Sequence, residues 1–193
     1  MKANAHINRD SIWVNGQKYK LESLPENLKN EETCEQVTED CHLFFGKSSG
    51  FSNFFTRENL IITKEQSYSS TEQFFQSEKA KFFGDKEAYS KILATDNPRL
   101  QKQIKVKGFN NNHWQEMSFN IMKEGLSYKF NQNSDLKQKL LKTKSKTLAE
   151  ASPKDCLWGT GCPLYSPQST NKSQWGKNLM GVALMEIRQE INH

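Results

Sequence analysis

From Ser70 onward the apolar residues of this chain recur at helical spacing, in segments separated by helix-breaking pairs, and this commits most of the molecule to α-helix. Ser70 or Thr71 can cap the first segment, which carries Phe74, Phe75, Ala80, Phe82 and Phe83 and stops at Gly84-Asp85. A second helix is expected over residues 86–94, and Asn97-Pro98 separates it from a third over 99–106. The longest pattern, 113–130, places Trp114, Met117, Ile121, Met122, Leu126 and Phe130 near one face. A short helix over 136–142 follows. A loop rich in Gly, Pro, Ser and Asn, 156–176, leads to a last helix over 177–191 with Leu179, Val182, Met185 and Ile187 inward. Upstream, LFFGKSSGFSNFF after His42 predicts a strand, a loop around 46–50 and a second extended piece, and residues 60–63 read as another strand. The fold class is therefore α+β, mainly helical, a compact single domain with short strands near its N-terminal part.

The first 41 residues differ in character. Residues 11–22 read as a hairpin turning at Asn15-Gly16, a strong type I′ signal. Residues 23–40 are acidic, contain Pro25 and read as a linker or a loosely docked helix. We divide the chain into an N-terminal extension, 1–41, and a core domain, 42–193. The extension holds five Lys and Arg against eight Asp and Glu; the rest holds 22 against 14, a net charge of +8. Such a basic body suits a phosphate-bearing ligand or a nucleic acid, although a solvated lysine-rich surface gives the same count. Five lysines between 137 and 146 read first as a solvated face, then as a nucleic-acid rim. No apolar run approaches the ~20 residues that span a bilayer, and the polar first ten residues lack the core of a signal peptide. The expected location is cytoplasmic or nuclear, with no membrane partner. Cys34, Cys41, Cys156 and Cys162 fit no zinc spacing and read as free thiols; no metal and no cofactor is expected.

Four stretches can carry chemistry. On the helix from Ser70, Glu72 and Lys79 lie seven residues apart and share a face, with Gln76 between them. A carboxylate, an amide and an ammonium are stacked along one stripe, which is either a solvated face or a site, and an aromatic-rich helix buries much of its circumference. In GFSNFF, residues 50–55, Ser52 and Asn53 sit among Phe51, Phe54 and Phe55, which suits stacking on a base or ribose, or a turn packed by its own aromatics. In SPKDCLWGTG, residues 152–161, Asp155 and Trp158 precede a Gly-x-Gly that permits close backbone approach to a ligand or forms a structural turn. Asn178 can cap the last helix, leaving its first amides for an anion. His113 reads as a capping or surface residue.

The order of these elements resembles the NADAR/YbiA family over about residues 42–190. FSNFF is followed by T-E-x-F-F-Q-x-x-K, a Trp opening a helix that ends K-F-x-Q-N, and L-L-x-T. A Glu then precedes D-x-x-W-G-x-G, and K-N-x-x-G-x-x-L-M-x-x-R closes the series. The resemblance implies a compact, mostly helical α+β domain that hydrolyses N-glycosidic bonds in ribose-linked substrates. Two activities go with the family: removal of ADP-ribose from modified guanine in nucleic acid, and cleavage of phosphoribosylamino-pyrimidine intermediates of riboflavin synthesis. Partners would be ADP-ribosylated DNA or RNA, or a phosphoribosylated small molecule. The resemblance places the acidic position on Glu72 and the helix lysine on Lys79, the two catalytic candidates. The substrate-binding candidates become Ser52, Asn53, Phe54, Gln76, Trp114, Glu150, Asp155, Trp158, Gly159 and Asn178. The chain departs from the family at Gln73, where a His often follows the Glu, at 99–108, which lacks a Gly-Arg pair, and in a longer loop between Gly161 and Gly176.

Chemically, breaking a ribosyl C–N bond builds positive charge on the sugar. A carboxylate beside the anomeric carbon stabilises that charge and can activate water, which suits Glu72. Lys79, if burial disfavours its charged form, can instead attack the anomeric carbon and form a Schiff base with the opened sugar, or simply orient Glu72. A non-catalytic binder of ADP-ribose is the rival suggested by Gln73.

Overall fold

The computed structural model describes residues 34–192 and, upstream of them, the backbone of three strands: β1 (Ala5–Asn8), β2 (Ser11–Val14) and β3 (Gln17–Lys20). They form an antiparallel meander in the order β1-β2-β3. Val14 pairs with Gln17, the register of a tight hairpin. This is the hairpin expected over 11–22, although its Asn15-Gly16 turn and most of the expected linker lie outside the described residues. In chain order there follow β4 (Glu35–Val37), β5 (Cys41–Phe44), β6 (Ile61–Ile62), β7 (Ser67–Tyr68), α1 (Thr71–Phe82), α2 (Lys86–Leu93), α3 (Pro98–Gln103), α4 (Asn111–Gln132), α5 (Ser134–Lys142), β8 (Thr147–Glu150) and α6 (Leu179–Asn192).

The chain divides into two units, each with its own packing. The first comprises the residues up to Ser52 with Thr143–Met185; the second comprises Asn53–Lys142 and the residues from Glu186 on. In the first unit β4 pairs antiparallel with β5, and β5 pairs parallel with β8, Phe44 opposite Glu150. Around this sheet Cys41, Leu43, Ala149, Ala151 and Leu164 form a buried cluster, with Phe45, Tyr165 and Trp175 packed against it. The loop after β8 is pinned to β4, where the Tyr165 hydroxyl donates to the Glu35 carbonyl at 2.6 Å, and to itself, where the Trp175 indole N–H donates to the Ser169 carbonyl at 3.0 Å. Neither β4 nor β8 is legible at the sequence level. The stretch expected to be extended at 51–55 is instead a turn.

The second unit is built on α1, packed against α2, α3 and α4. The Ser70 hydroxyl accepts from the Gln73 N–H at 3.0 Å and so starts α1 where expected. Asp85 caps α2 through the Ala88 N–H, and Asn97 with Pro98 opens α3. Ala80, Ala88, Ile92 and Val106 close the core on one side of α1. On the other, Phe74 meets Tyr68 and Tyr128 edge-on and lies over Gly125, where an added Cβ would come within 2.6 Å of its ring. The helix expected over 99–106 ends at Gln103, because Ile104 takes extended backbone. In α6 Ile187 is buried as expected, but the rest of the buried face is Met180, Ala183 and Leu184, shifted by about one residue from the expected Leu179, Val182 and Met185.

On α4 the structure buries Lys129 completely, its ammonium 5.2 Å from the Phe55 ring centre and 5.4 Å from that of Phe130. Burial, with the positive charges of Arg57 and Lys139 adding to it, pushes Lys129 down to about 7. The unfolded chain then holds this proton more tightly than the folded one. The stability this group contributes is absent below pH ~7 and grows as pH rises toward the unfolded value of ~10.4, by up to about 1.4 kcal/mol per pH unit. Lys129→Met is expected to flatten that rise. Urea unfolding of both proteins at neutral and at mildly alkaline pH measures it, and identical pH dependence would refute the shift.

Candidate active site

Glu72 sits in the first turn of α1 and is 2% exposed. Two amides grip its carboxylate. The Asn53 side-chain amide donates to one oxygen at 2.5 Å and the Gln76 amide to the other at 2.8 Å. The Asn53 carbonyl in turn accepts the Glu72 backbone N–H at 3.0 Å, so one residue holds both ends of the acid. Burial raises the Glu72 carboxyl above the ordinary glutamate range. The hydrogen bond from Gln76, the charge of Lys102, the bond from Asn53 and the charge of Lys79 oppose that rise without cancelling it. The other end of the Gln76 amide, its oxygen Oε1, is buried and meets no donor among the described residues.

Two turns along the same helix, Lys79 is half-buried. Burial lowers its ammonium below the ordinary lysine value, with Glu72 pulling up and Lys102 pushing down. Its Nζ lies 5.4 Å from the centre of the Phe109 ring, and Lys102 Nζ lies 5.8 Å from that of Phe54. The second unit therefore assembles Asn53, Phe54, Glu72, Gln76 and Lys79 as expected. It adds Lys102 and Phe109, which the sequence reading missed: a lysine among 27 basic residues carries no local signal, and α3 brings it to Glu72 only through tertiary packing. Trp114 lies in the same unit but is 7% exposed, enclosed by Phe75, Phe82 and Phe83 with ring centres 5.0, 6.3 and 6.4 Å away.

Gln73 stands where a histidine was expected beside the acid. Its Oε1 accepts from the Ser69 N–H at 2.8 Å and from the Ser69 hydroxyl at 3.2 Å. Its amide nitrogen donates to the Ile92 and Thr95 carbonyls at 3.3 and 3.1 Å. The side chain is a brace between the start of α1 and the end of α2, a role that needs no titrating group.

The other candidates lie in the first unit, Ser52 in a turn after β5 and the rest on β8 or in the loop between it and α6. Ser52 closes a turn through its N–H to the Ser49 carbonyl. Asp155 Oδ1 accepts the Leu157 and Trp158 N–H groups at 3.0 and 2.8 Å. Gly159 was read as permitting close approach to a ligand or forming a structural turn. A Cβ there would lie 2.8 Å from the Glu150 carbonyl and 2.9 Å from that of Asp155, a close approach to the chain itself, as in a structural turn. Trp158 is half-buried. Asn178 was expected to cap the last helix. Its side chain instead accepts the Glu150 N–H at 3.1 Å and donates to the Leu148 carbonyl at 2.9 Å, clasping β8 and fixing where Glu150 emerges.

Among the described residues no His, Cys, Asp and Glu group together to hold a metal ion, and the four cysteines are free thiols. No described helix is long and apolar enough to cross a membrane.

The family profile of the NADAR domain matches residues 40–192. An N-glycosidase of Acanthamoeba polyphaga mimivirus is 40% identical over 146 residues, covering 72% of this chain and 86% of the viral protein. The N-glycosidase YbiA of Escherichia coli K12 is 28% identical over 144 residues, covering 73% and 80%. An N-glycosidase of Nostoc punctiforme is 30% identical over 153 residues, covering 74% and 85%. The NMR structure of E. coli YbiA shares the fold, with a TM-score of 0.63 at 22% identity over 86% of this chain and 92% of that one.

Proposed function

The chain belongs to the NADAR domain family, and from that premise we propose that it is a hydrolase of N-glycosyl bonds whose substrate is ADP-ribose attached to guanine in nucleic acid. The observation that carries the reading is the buried Glu72 carboxylate, held by Asn53 and Gln76 with the cations Lys79 and Lys102 beside it. Positive charge grows at the anomeric carbon as the C–N bond lengthens, and a fixed carboxylate in a poorly solvated site opposes that charge strongly. The two lysines suit the phosphates of an ADP-ribosyl group, and the net charge of +8 over residues 42–193 suits a polyanionic carrier. The Gln73 brace removes the reason for expecting a mere binder, because the side chain at that position serves the backbone.

Lys79 supports a covalent route within this reading. Burial makes its neutral amine more accessible than that of a surface lysine, and such an amine can attack the anomeric carbon as guanine leaves, then form a Schiff base with the opened sugar. Lys79→Arg keeps the charge and loses the nucleophile. Its turnover is expected to fall by roughly a hundredfold or more. Borohydride should trap a wild-type adduct that Lys79→Arg does not form. Retained turnover would leave Lys79 the smaller task of orienting Glu72.

The test of the substrate is release of ADP-ribose from a guanine-ADP-ribosylated oligonucleotide. If folded wild-type protein leaves it intact yet cleaves a phosphoribosylamino-pyrimidine, the activity is that of a metabolite N-glycosidase.

A further inference from the structure

The aromatic residues around Lys79 do not end at the site. Phe109 is 45% exposed and Phe82 is 47% exposed. Phe83 joins them, with ring centres 5.5 Å from Phe109 and 4.9 Å from Phe82, both pairs edge-to-face. Phe82 rests on Trp114, and Met117, one turn further along α4, is 40% exposed. Rings this large are ordinarily buried, and a contiguous exposed apolar patch marks a contact surface. The row begins at Phe109, the ring that carries the Lys79 ammonium.

The charge around the row selects its occupant. Residues 79–117 hold eight Lys and Arg against four Asp and Glu. Of those four acids, Asp85 caps α2 and accepts the Lys107 N–H and Glu87 is paired with Lys91 and Lys107, which leaves Asp96 and Glu116; Glu78, one residue before the segment, is paired with Lys81. Lys102, whose ammonium lies 5.8 Å from the centre of the Phe54 ring, and Lys105 are exposed cations of the same segment. An apolar partner helix has no use for this excess of positive charge, and a duplex hides the faces of its bases. A single strand offers both phosphates for the lysines and open base faces for the rings.

We propose that Phe109, Phe83 and Phe82 form a stacking ledge for the nucleotides flanking the modified guanine, so that the substrate is single-stranded nucleic acid and not a free nucleotide. This rests on the nucleic-acid reading above, and two measurements separate the claims. Binding of an unmodified, fluorescently labelled single-stranded oligonucleotide tests the ledge without any chemistry. Wild type should bind it more tightly than the matching duplex, and Phe82→Ser should weaken binding roughly 10- to 100-fold, the scale of losing one or two stacked bases. Phe82→Leu keeps the apolar packing and should show most of the same loss, which guards against misfolding of the serine variant. In the second measurement, wild type should hydrolyse an ADP-ribosylated oligonucleotide with higher kcat/KM than ADP-ribosylated guanosine monophosphate. That preference should vanish in Phe82→Leu, or when the flanking nucleotides are made abasic. Equal affinity for single strand and duplex, or single-strand binding indifferent to both Phe82 variants, overturns the ledge. Loss of the oligonucleotide activity alone, with the binding pattern intact, overturns only the proposed reaction.

Discussion

Glu72→Gln is expected to reduce glycosidic cleavage by about a thousandfold, within the range for removing a group that acts on transition-state charge, while the protein remains folded. The replacement keeps the shape of the side chain and removes its charge. Its new amide nitrogen would face one of the two donors that grip the acid, but Gln76 has a buried Oε1 that meets no donor among the described residues, so a flip of that amide turns a clash into a hydrogen bond. The stability argument points the same way. Burial raises the Glu72 carboxyl above its ordinary value, so the folded protein binds that proton more tightly than the unfolded chain. The stability this group contributes is complete below the unfolded value of ~4.3 and is lost as pH rises through the folded one. Burial disfavours the charge that glutamine lacks, so at neutral pH the variant should unfold at the same or a higher urea concentration than wild type. The acidic limb of the wild-type pH–rate profile should also lie above the ordinary glutamate value. Activity within tenfold of wild type in a folded Glu72→Gln protein would remove this residue from the chemistry.

Gly181→Ala is expected to destabilise the protein by about 3 kcal/mol, as overpacking against rigid backbone does, and to lower Tm by about 6–12 °C for a chain of this size. A Cβ at this position would lie 2.1 Å from the Leu148 carbonyl oxygen and 2.4 and 2.8 Å from the two polar atoms of the Asn178 amide. None of these can yield cheaply. Leu148 is held in β8 opposite His42, and its carbonyl accepts the Asn178 amide that clasps strand to helix. Helical propensity favours alanine over glycine by only about 1 kcal/mol, too little to offset the clash and a broken clasp. Gly125→Ala is a useful contrast, since its nearest neighbour is the Phe74 ring, a side chain with some room to turn. Thermal unfolding of the two variants decides the matter, and a Tm change below about 2 °C for Gly181→Ala would show that α6 does not seat on β8 as described.

Legibility followed the range of the interaction concerned. The helix start at Ser70 was readable because a cap and its amide lie within three residues of one another, and Gly84-Asp85 and Asn97-Pro98, read as breaks, prove to hold the caps of the helices that follow. The stripe of Glu72, Gln76 and Lys79 was readable because helical geometry alone aligns it. β8 was not: TLAE is four residues long, carries no alternation of its own, and becomes a strand by pairing with β5, about a hundred residues earlier. The inward face of α6, Ile187 apart, was misjudged because LMGVALMEI is apolar on nearly every side, and the contact of Gly181 with β8 sets its rotation. Asn178 carried a local signal for a cap, which tertiary hydrogen bonds redirected, and at Gly159 close packing decided for a structural turn over a ligand loop.

By itself, then, the sequence determined the helical segments, the family and the acid–amide–lysine stripe, since each depends on residues within a few turns of one another or on their order along the chain. The tertiary structure alone decided that Gln73 is a brace, that Asn53 reaches across 19 residues to grip Glu72, and that Lys102 and Phe109 join the site. Those facts come from burial and long-range contact, which raise one acid, lower one lysine and aim a second, and no spacing rule along a chain encodes them.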